Sequence, residues 1–413
     1  MRRQLMMIFA CSALALAAVP PASAQSDGRY PDLVQEADSD DAIAIYIVPM
    51  RGQVGTDILL ELYEPIIEHI KEIKPDMVVL HLDSHDYKDV DDEVVDIMEN
   101  TGRPGQSDGS YPSLKPMAEL RQAFHDELGD IEQVCYVEDA QSVASLLALS
   151  WETVYIDPDG ELGGAVVPWM WMAAPVMKDS QKYGKYLRAI MGDVRGLVQY
   201  GGWDNANKRE FIRAMVVPEA MATTTWRGRE AIWYRDKRGD FMVDQINELP
   251  SKPELQQLLQ ATINLSGEQA EALLVVKGTA SPDRFVKDIL AQLGHRRYRI
   301  VGNASEKVEA HRASWRKTAK RARDNFMLFR RMGQGQYMYQ LQAALKAIGS
   351  YISAIKNDKA VKTRMQLERL PTNSLDLEMM REQLKDTIRR RKQGGGGGGR
   401  GGGGGGLGGP GGV

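Results

Sequence analysis

The chain has 413 residues, enough for one large domain or two ordinary ones, with 43% hydrophobic and 26% charged residues, the balance of a soluble globular protein. Its net charge of −4 lacks the basic excess that a phosphate backbone would demand, so nucleic acid is not an expected partner. Of its 2 cysteines, Cys11 lies in a segment expected to be removed, which leaves Cys135 alone and no intramolecular disulfide to brace the fold.

Residues 1–24 read as a secretory signal peptide. Arg2 and Arg3 form a positive start, Leu5 to Pro20 is an apolar stretch, and Ala22-Ser23-Ala24 is a small-residue cleavage site before Gln25. The expectation is an exported protein, periplasmic or extracellular, whose mature charge becomes −6. No later segment has the roughly eighteen unbroken apolar residues that a membrane helix needs, so no transmembrane segment is expected. Residues 25–41 are polar and acidic and read as a linker.

The elements that follow alternate. Ala42 to Val48 is a continuous apolar run with β-branched residues, the pattern of a strand buried on both faces. Thr56 to Ile73 carries helical spacing in Ile58, Leu59, Leu62, Ile66 and Ile70. Pro75 breaks it, and Met77 to Leu80 is a second strand. Val90 to Met98 suggests a helix and Gly102 to Pro116 a loop. Ala118 to Leu128 is a helix, Glu132 to Val137 a strand, Ser142 to Ser150 a helix, and Val154 to Ile156 a fourth strand. Strands alternating with helices predict parallel βαβ units, an α/β fold.

From residue 302 the character changes. Arg312 to Arg331 holds 8 Arg or Lys, and Leu341, Leu345, Ile348, Ile352 and Ile355 make a helical stripe. A further helix is expected over Leu375 to Arg391. Residues 302–393 are therefore read as a helical, partly basic extension. The glycine run over 394–413 lacks the side chains to bury a core and is expected to be disordered. The basic stretch could meet anionic lipid, as a peripheral membrane contact, or nucleic acid, but a solvated helix face is the commoner explanation.

Several blocks carry a family resemblance. Ile45 to Gly52 is an apolar strand running into a polar turn with glycine, and Pro75 to Asp83 is a second strand. Ala140 to Ile156 sets a serine beside small residues, followed by a helix and a strand; Asp157 to Ala165 is a turn containing Gly163 and Gly164. In order and spacing these resemble the ClpP/crotonase-superfamily serine peptidases, in particular signal peptide peptidase A and the NfeD-type membrane proteases. Arg213 to Val217, Asn264 to Ala270 and Val276 to Ala280 extend the resemblance to about Val301, over residues 42–301. It implies a ClpP/crotonase-like parallel core with an α-helical C-terminal extension. It also implies a Ser/Lys endopeptidase acting on peptides or unfolded protein, a homo-oligomer, and no cofactor.

Carried over residue by residue, the resemblance makes Ser142 the nucleophile. A serine at a helix N-terminus sits beside unpaired backbone N–H groups, which can stabilise an oxyanion; the same position also suits a plain N-cap. No histidine follows Ser142 before His295, and the family's lysine corresponds to Lys185, with Lys182 as the fallback and Lys178 on the same predicted helix. Such an amine acts as a base when burial strips its proton. Val143 N–H and the Gly163-Gly164 turn would shape the oxyanion hole and groove.

One departure stands out: the family's Gly-Gly after the second strand is replaced by His85-Asp86. A carboxylate there opposes an oxyanion. The alternative reading is thus a catalytically impaired homologue that binds peptides or serves as an assembly scaffold. A crotonase-type acyl-CoA enzyme is disfavoured, since its coenzyme is cytosolic. His81, Asp83, His85 and Asp86 together could suggest a metal, but such groups recur by chance and no metal is assigned. Trp169, Met170, Trp171 and Met172 suit a groove, a subunit contact or core packing.

Overall fold

The structure, a computed structural model, describes residues 42–84, 114–141, 143–165, 180–217, 220, 222–239, 241–242, 263–368 and 370–394. The expected signal peptide and linker, the glycine run after Gly394, the helix over Val90 to Met98, and Trp169 to Met172 lie outside the described residues. So do His85, Asp86, Lys178 and Ser142.

The first half builds a parallel sheet. Strand β1 (Ile43–Arg51) leads through a turn to helix α1 (Leu60–Ile73) and strand β2 (Met77–Ser84). Helix α2 (Lys115–Glu127), strand β3 (Glu132–Gln141), helix α3 (Val143–Ala148) and strand β4 (Thr153–Ile156) follow. Strand β5 (Glu161–Gly163) pairs parallel with the end of β3. Helices α4 (Ser180–Val198) and α5 (Arg209–Val216) precede a small antiparallel sheet of β6 (Thr223–Arg227), β7 (Glu230–Tyr234) and β8 (Phe241–Met242). Strand β9 (Asn264–Ser266), helix α6 (Gly267–Ala272), strand β10 (Gly278–Thr279), helix α7 (Phe285–Leu293) and strand β11 (Tyr298–Asn303) complete this part. The main sheet runs β10-β4-β3-β2-β1-β11 with every neighbouring pair parallel.

Both faces of this sheet are covered, which is why β1 and β2 are near-continuous in apolar residues. One face sets Tyr46, Val48, Val78, Leu80, Cys135 and Val137 against α1 and α2, through Tyr63, Ile66, Ile70, Leu120 and Phe124. The other sets Ile45, Ile47, Val79 and Val134 against Phe285 and Ile289 of α7. Each such side chain contributes about 1.5–3 kcal/mol when fully buried.

Helix α1 begins at Leu60, four residues later than the spacing predicts. Asp57 explains the delay: its Oδ2 accepts the N–H of Gln53 at 3.0 Å and holds residues 53–58 as a closed turn. The predicted third strand runs on to Gln141, and the helix after it spans Val143–Ala148.

The remainder is helical: α8 (Ser305–Met332), α9 (Met338–Asn357), α10 (Lys359–Leu367) and α11 (Ser374–Gly394). Trp315, Ala319, Ala322 and Phe326 of α8 pack on Ile348, Tyr351, Ile352 and Ile355 of α9, with Leu377 of α11. The apolar stripe expected on α9 is therefore the seam of a small bundle. Asp358 caps α10, accepting the N–H of Val361 at 3.0 Å. Among the described residues no helix is long and apolar enough to cross a membrane.

Candidate active site at the strand ends

In an open parallel sheet the carboxyl ends of the strands present backbone groups and loops to one side, where ligands usually bind. Here β1, β2, β3 and β5 end at nearly one level. Arg51 is level with Asp83, Ser84 with Ala140, Ala140 with Leu162, and Gln141 with Gly163. The chain leaves β2 toward His85 immediately after Ser84, and leaves β3 toward Ser142 immediately after Gln141.

The turn after β1 is tied to this rim. Ser84 Oγ donates to the Gly52 carbonyl at 2.7 Å, and Gly52 N–H donates to the Asp83 carbonyl at 3.0 Å. Gly52 sits at φ +90°, and a Cβ there would lie 2.5 Å from Asp57 Oδ2. Only glycine lets the turn close over that carboxylate.

The Gly163-Gly164 turn lies beside the end of β3. Gly163 has φ +154° and no room for a side chain, since a Cβ would approach the Ile263 carbonyl to 2.3 Å. Gly164 N–H donates to that carbonyl at 2.9 Å. Glu161 fixes the same corner: its carboxylate accepts from the Gln141 side chain and, at 3.0 Å, from Asn264 Nδ2. Val143 opens α3 and is buried.

Lys182 and Lys185 lie on α4, which packs on α2 and α3. The buried stripe of α4 is Ile190, Val194, Leu197 and Val198, and both lysines are exposed. At about 100° per residue Lys185 falls on the side opposite that stripe, and Lys182 on its flank. Among the described residues the Lys185 side chain thus projects away from the core. Tyr186 turns inward instead. Its buried hydroxyl has no partner among the described residues, and burial pushes its pKa up to about 12.

On the other face of the same rim lies a polar pair that sequence reading did not assemble. His81 is fully buried in β2, and its Nε2 is 2.9 Å from Glu138 Oε2 of β3. The imidazole is flanked by the rings of Tyr136 at 5.1 Å and Phe285 at 4.9 Å. Burial lowers the His81 pKa, opposed by the bond to Glu138. Burial likewise raises the Tyr136 phenol well above its usual range. The signal was available: His81 and Asp83, like Tyr136 and Glu138, alternate on one strand face, but the pairing register was needed to join them. Among the described residues no cluster of three or more His, Cys, Asp or Glu could hold a metal ion. Cys135 is buried, and burial pushes its thiol pKa up, away from reactivity.

No family model matches the chain, and no curated protein matches it. Among solved structures it is similar to the 1510-N membrane-bound stomatin-specific protease, as a lysine-to-alanine mutant in complex with a substrate peptide. That similarity has 12% identity and a TM-score of 0.33, over 61% of this chain and 80% of that chain. It is also similar to the 1510-N membrane protease specific for a stomatin homolog from Pyrococcus horikoshii, with 12% identity and a TM-score of 0.30, over 60% of this chain and 78% of that chain. Likenesses this distant do not carry a residue's role from those proteins to this chain.

Proposed function

We propose that this chain is a serine-peptidase-like protein that takes peptide or unfolded protein at the carboxyl ends of β1, β2, β3 and β5. The supporting observation is the common level of Ser84, Gln141 and Gly163. It gathers the chain positions flanking Ser142, His85-Asp86 and the Gly163-Gly164 turn onto one rim. In the catalytic form of the reading, Ser142 Oγ attacks the scissile carbonyl carbon and its proton passes to a lysine amine. The lysine is Lys185 by resemblance, with Lys182 as the fallback. The protonated amine then gives its proton to the leaving amine, and water hydrolyses the acyl-serine. Val143 N–H is the oxyanion donor that the resemblance suggests. No cofactor takes part.

A second reading is favoured by two observations. Both lysines are exposed, and His85-Asp86 stands where the resemblance expects Gly-Gly. In that reading the rim binds peptide without cleaving it, and the protein acts as a scaffold. Export to the periplasm or outside the cell, and self-association, belong to both readings.

A serine-reactive fluorophosphonate probe separates them. Labelling of the protein that disappears in Ser142→Ala supports the peptidase. Absence of labelling, with a fluorescent unfolded peptide still bound, supports the scaffold. Lys185→Met and Lys182→Met, made separately, then identify the base as the variant that loses labelling.

A further inference from the structure

Charge in this chain is strongly segregated. Residues 305–394 carry 21 Lys or Arg against 9 Asp or Glu, a net +12, whereas residues 1–304 carry 30 against 47, a net −17. The basic excess of the bundle is not evenly available. Arg312 and Arg316 turn inward to Asp57, and Arg323 to Glu368.

Of the exposed cations outside these pairs, Lys307, Lys317, Lys320, Arg321, Lys346 and Lys362 are spread along the helices, and a separate group stands at the far end of the bundle. Arg391 Nη1 donates to the carbonyls of Gly335 at 3.0 Å and Gln336 at 2.7 Å, pinning the end of α11 to the turn between α8 and α9. This brings Arg390 and Lys392 to the same tip as Arg330 and Arg331, all four exposed and without an ion pair among the described residues. Asp386, the nearby acid on α11, is engaged by Arg389 at 3.2 Å. Trp315 marks where α8 meets the α/β body. At 1.5 Å per residue, Arg330 projects about 22 Å beyond it.

The same tip is apolar where it is not basic. Tyr337 and Tyr339 are 63% and 64% exposed and stack on each other at 5.8 Å. A cleft of about 530 Å³ opens between α8 and α11 and reaches Gly333 and Gln334 of the turn that leads to these tyrosines; it is walled by Met327, Phe329, Met380 and Leu384, with Arg330 and Arg331 also lining it. Cations around an apolar cleft, with tyrosines at the edge, match the layering of a bilayer interface, where phosphate lies above hydrocarbon and aromatic rings sit between. A nucleic acid would use the cations but not the methionine-lined cleft.

We propose that this distal tip docks on a bilayer surface bearing anionic phospholipid head groups. Arginines meet phosphates, the two tyrosines enter the interface, and the cleft admits the upper part of an acyl chain. The α/β body, net negative, is held away from the surface by the length of the bundle.

The test is co-sedimentation of the purified protein with vesicles of phosphatidylcholine containing about a third phosphatidylglycerol, against pure phosphatidylcholine, at low and high salt. Binding is expected only to the anionic vesicles and should fall steeply as salt rises. Each basic residue near the surface should contribute roughly fivefold, so Arg330→Glu/Arg331→Glu should weaken binding by more than about 25-fold. Arg330→Lys/Arg331→Lys should retain it. Tyr337→Ser/Tyr339→Ser should weaken it about tenfold at unchanged charge. All these side chains are exposed, and an unchanged melting temperature certifies the fold of each variant. The proposal is overturned if the anionic vesicles do not bind at low salt, or if the glutamate pair binds as well as wild type. It is equally overturned if a single-stranded oligonucleotide binds through the arginines while vesicles do not. None of these results bears on labelling of Ser142.

Discussion

The indole Nε1–H of Trp315 donates to Asp57 Oδ1 at 3.0 Å, joining residues 258 positions apart in sequence. The same buried carboxylate holds the Gln53 N–H at 3.0 Å and meets Arg316 at 3.3 Å and Arg312 at 3.4 Å. One side chain thus closes the turn after β1 and anchors the bundle to the body. Removing it should take the carboxylate partner from Arg316 and from the buried indole N–H, while Arg312 keeps Glu309 at 3.0 Å. Asp57→Ala should lower unfolding free energy by about 3 kcal/mol or more, against about 1 kcal/mol for Trp315→Phe, which loses one hydrogen bond. Urea midpoints at matched slopes measure both. Equal losses would show that the carboxylate is not the hub.

Two glycines should respond in opposite senses. A Cβ on Gly163 meets the Ile263 carbonyl at 2.3 Å, so Gly163→Ala should destabilise by about 2 kcal/mol or more and disturb peptide binding at the rim. Gly184 lies within α4 with open space where a Cβ would go, so Gly184→Ala should stabilise by about 0.5–1 kcal/mol. Thermal melts of the two variants decide the point. A Gly163→Ala protein as stable as wild type would place the β5 corner differently from the register described.

Acid should weaken the fold through His81. Its neutral form is favoured in the folded protein because burial lowers its pKa, more than the bond to Glu138 and the Asp83 carboxylate raise it; Arg51 adds to the lowering. The unfolded chain takes up the proton near pH 6.5. Below that pH the unfolded state binds more protons than the folded one, so stability falls as pH drops. His81→Gln can keep a donor for Glu138 without titrating. The wild-type melting temperature should fall between about pH 7.5 and about pH 5.5, and that part of the fall should vanish in the variant. Parallel curves would exonerate His81.

The His85-Asp86 pair offers a gain-of-function test. If these residues stand where the resemblance expects Gly-Gly, an oxyanion donor is lost and a carboxylate is placed nearby, a penalty of roughly 10²–10³ in rate. Replacing both by glycine should raise peptidase activity on an unfolded substrate, and Ser142→Ala in that background should abolish the gain. Brisk cleavage by the wild-type protein, slowed by the glycines, would mean that the pair serves catalysis as it stands.

The strands that sequence reading found were those whose composition had a single explanation. Ile43 to Val48, Met77 to Leu80 and Val154 to Ile156 are apolar on both faces, and only a covered parallel sheet makes that economical. Strand β11 escaped because Tyr298-Arg-Ile-Val-Gly-Asn303 is half-exposed at a sheet edge and follows Arg296 and Arg297. The β6–β7 hairpin was written in the β-branched run Thr223 to Thr225 and the turn at Gly228, but one strand face is polar and the run is short. At the rim, Gly163 and Gly164 were recognised by resemblance. The His81–Glu138 pair was not, because strand register is a property of two segments and neither states it alone.

Strand β11 also sets an order of events. Ile43 of the first strand is in register with Tyr298, and Ile45 with Ile300. During synthesis β1 can pair with β2 early, but its other edge stays open until nearly three quarters of the chain has emerged. A row of unpaired backbone groups beside Ile45 and Ile47 is a template for intermolecular pairing throughout that interval. The large sequence separation also makes closure slow. Fragments that end before Tyr298 should therefore accumulate as aggregates rather than as a trimmed, soluble core.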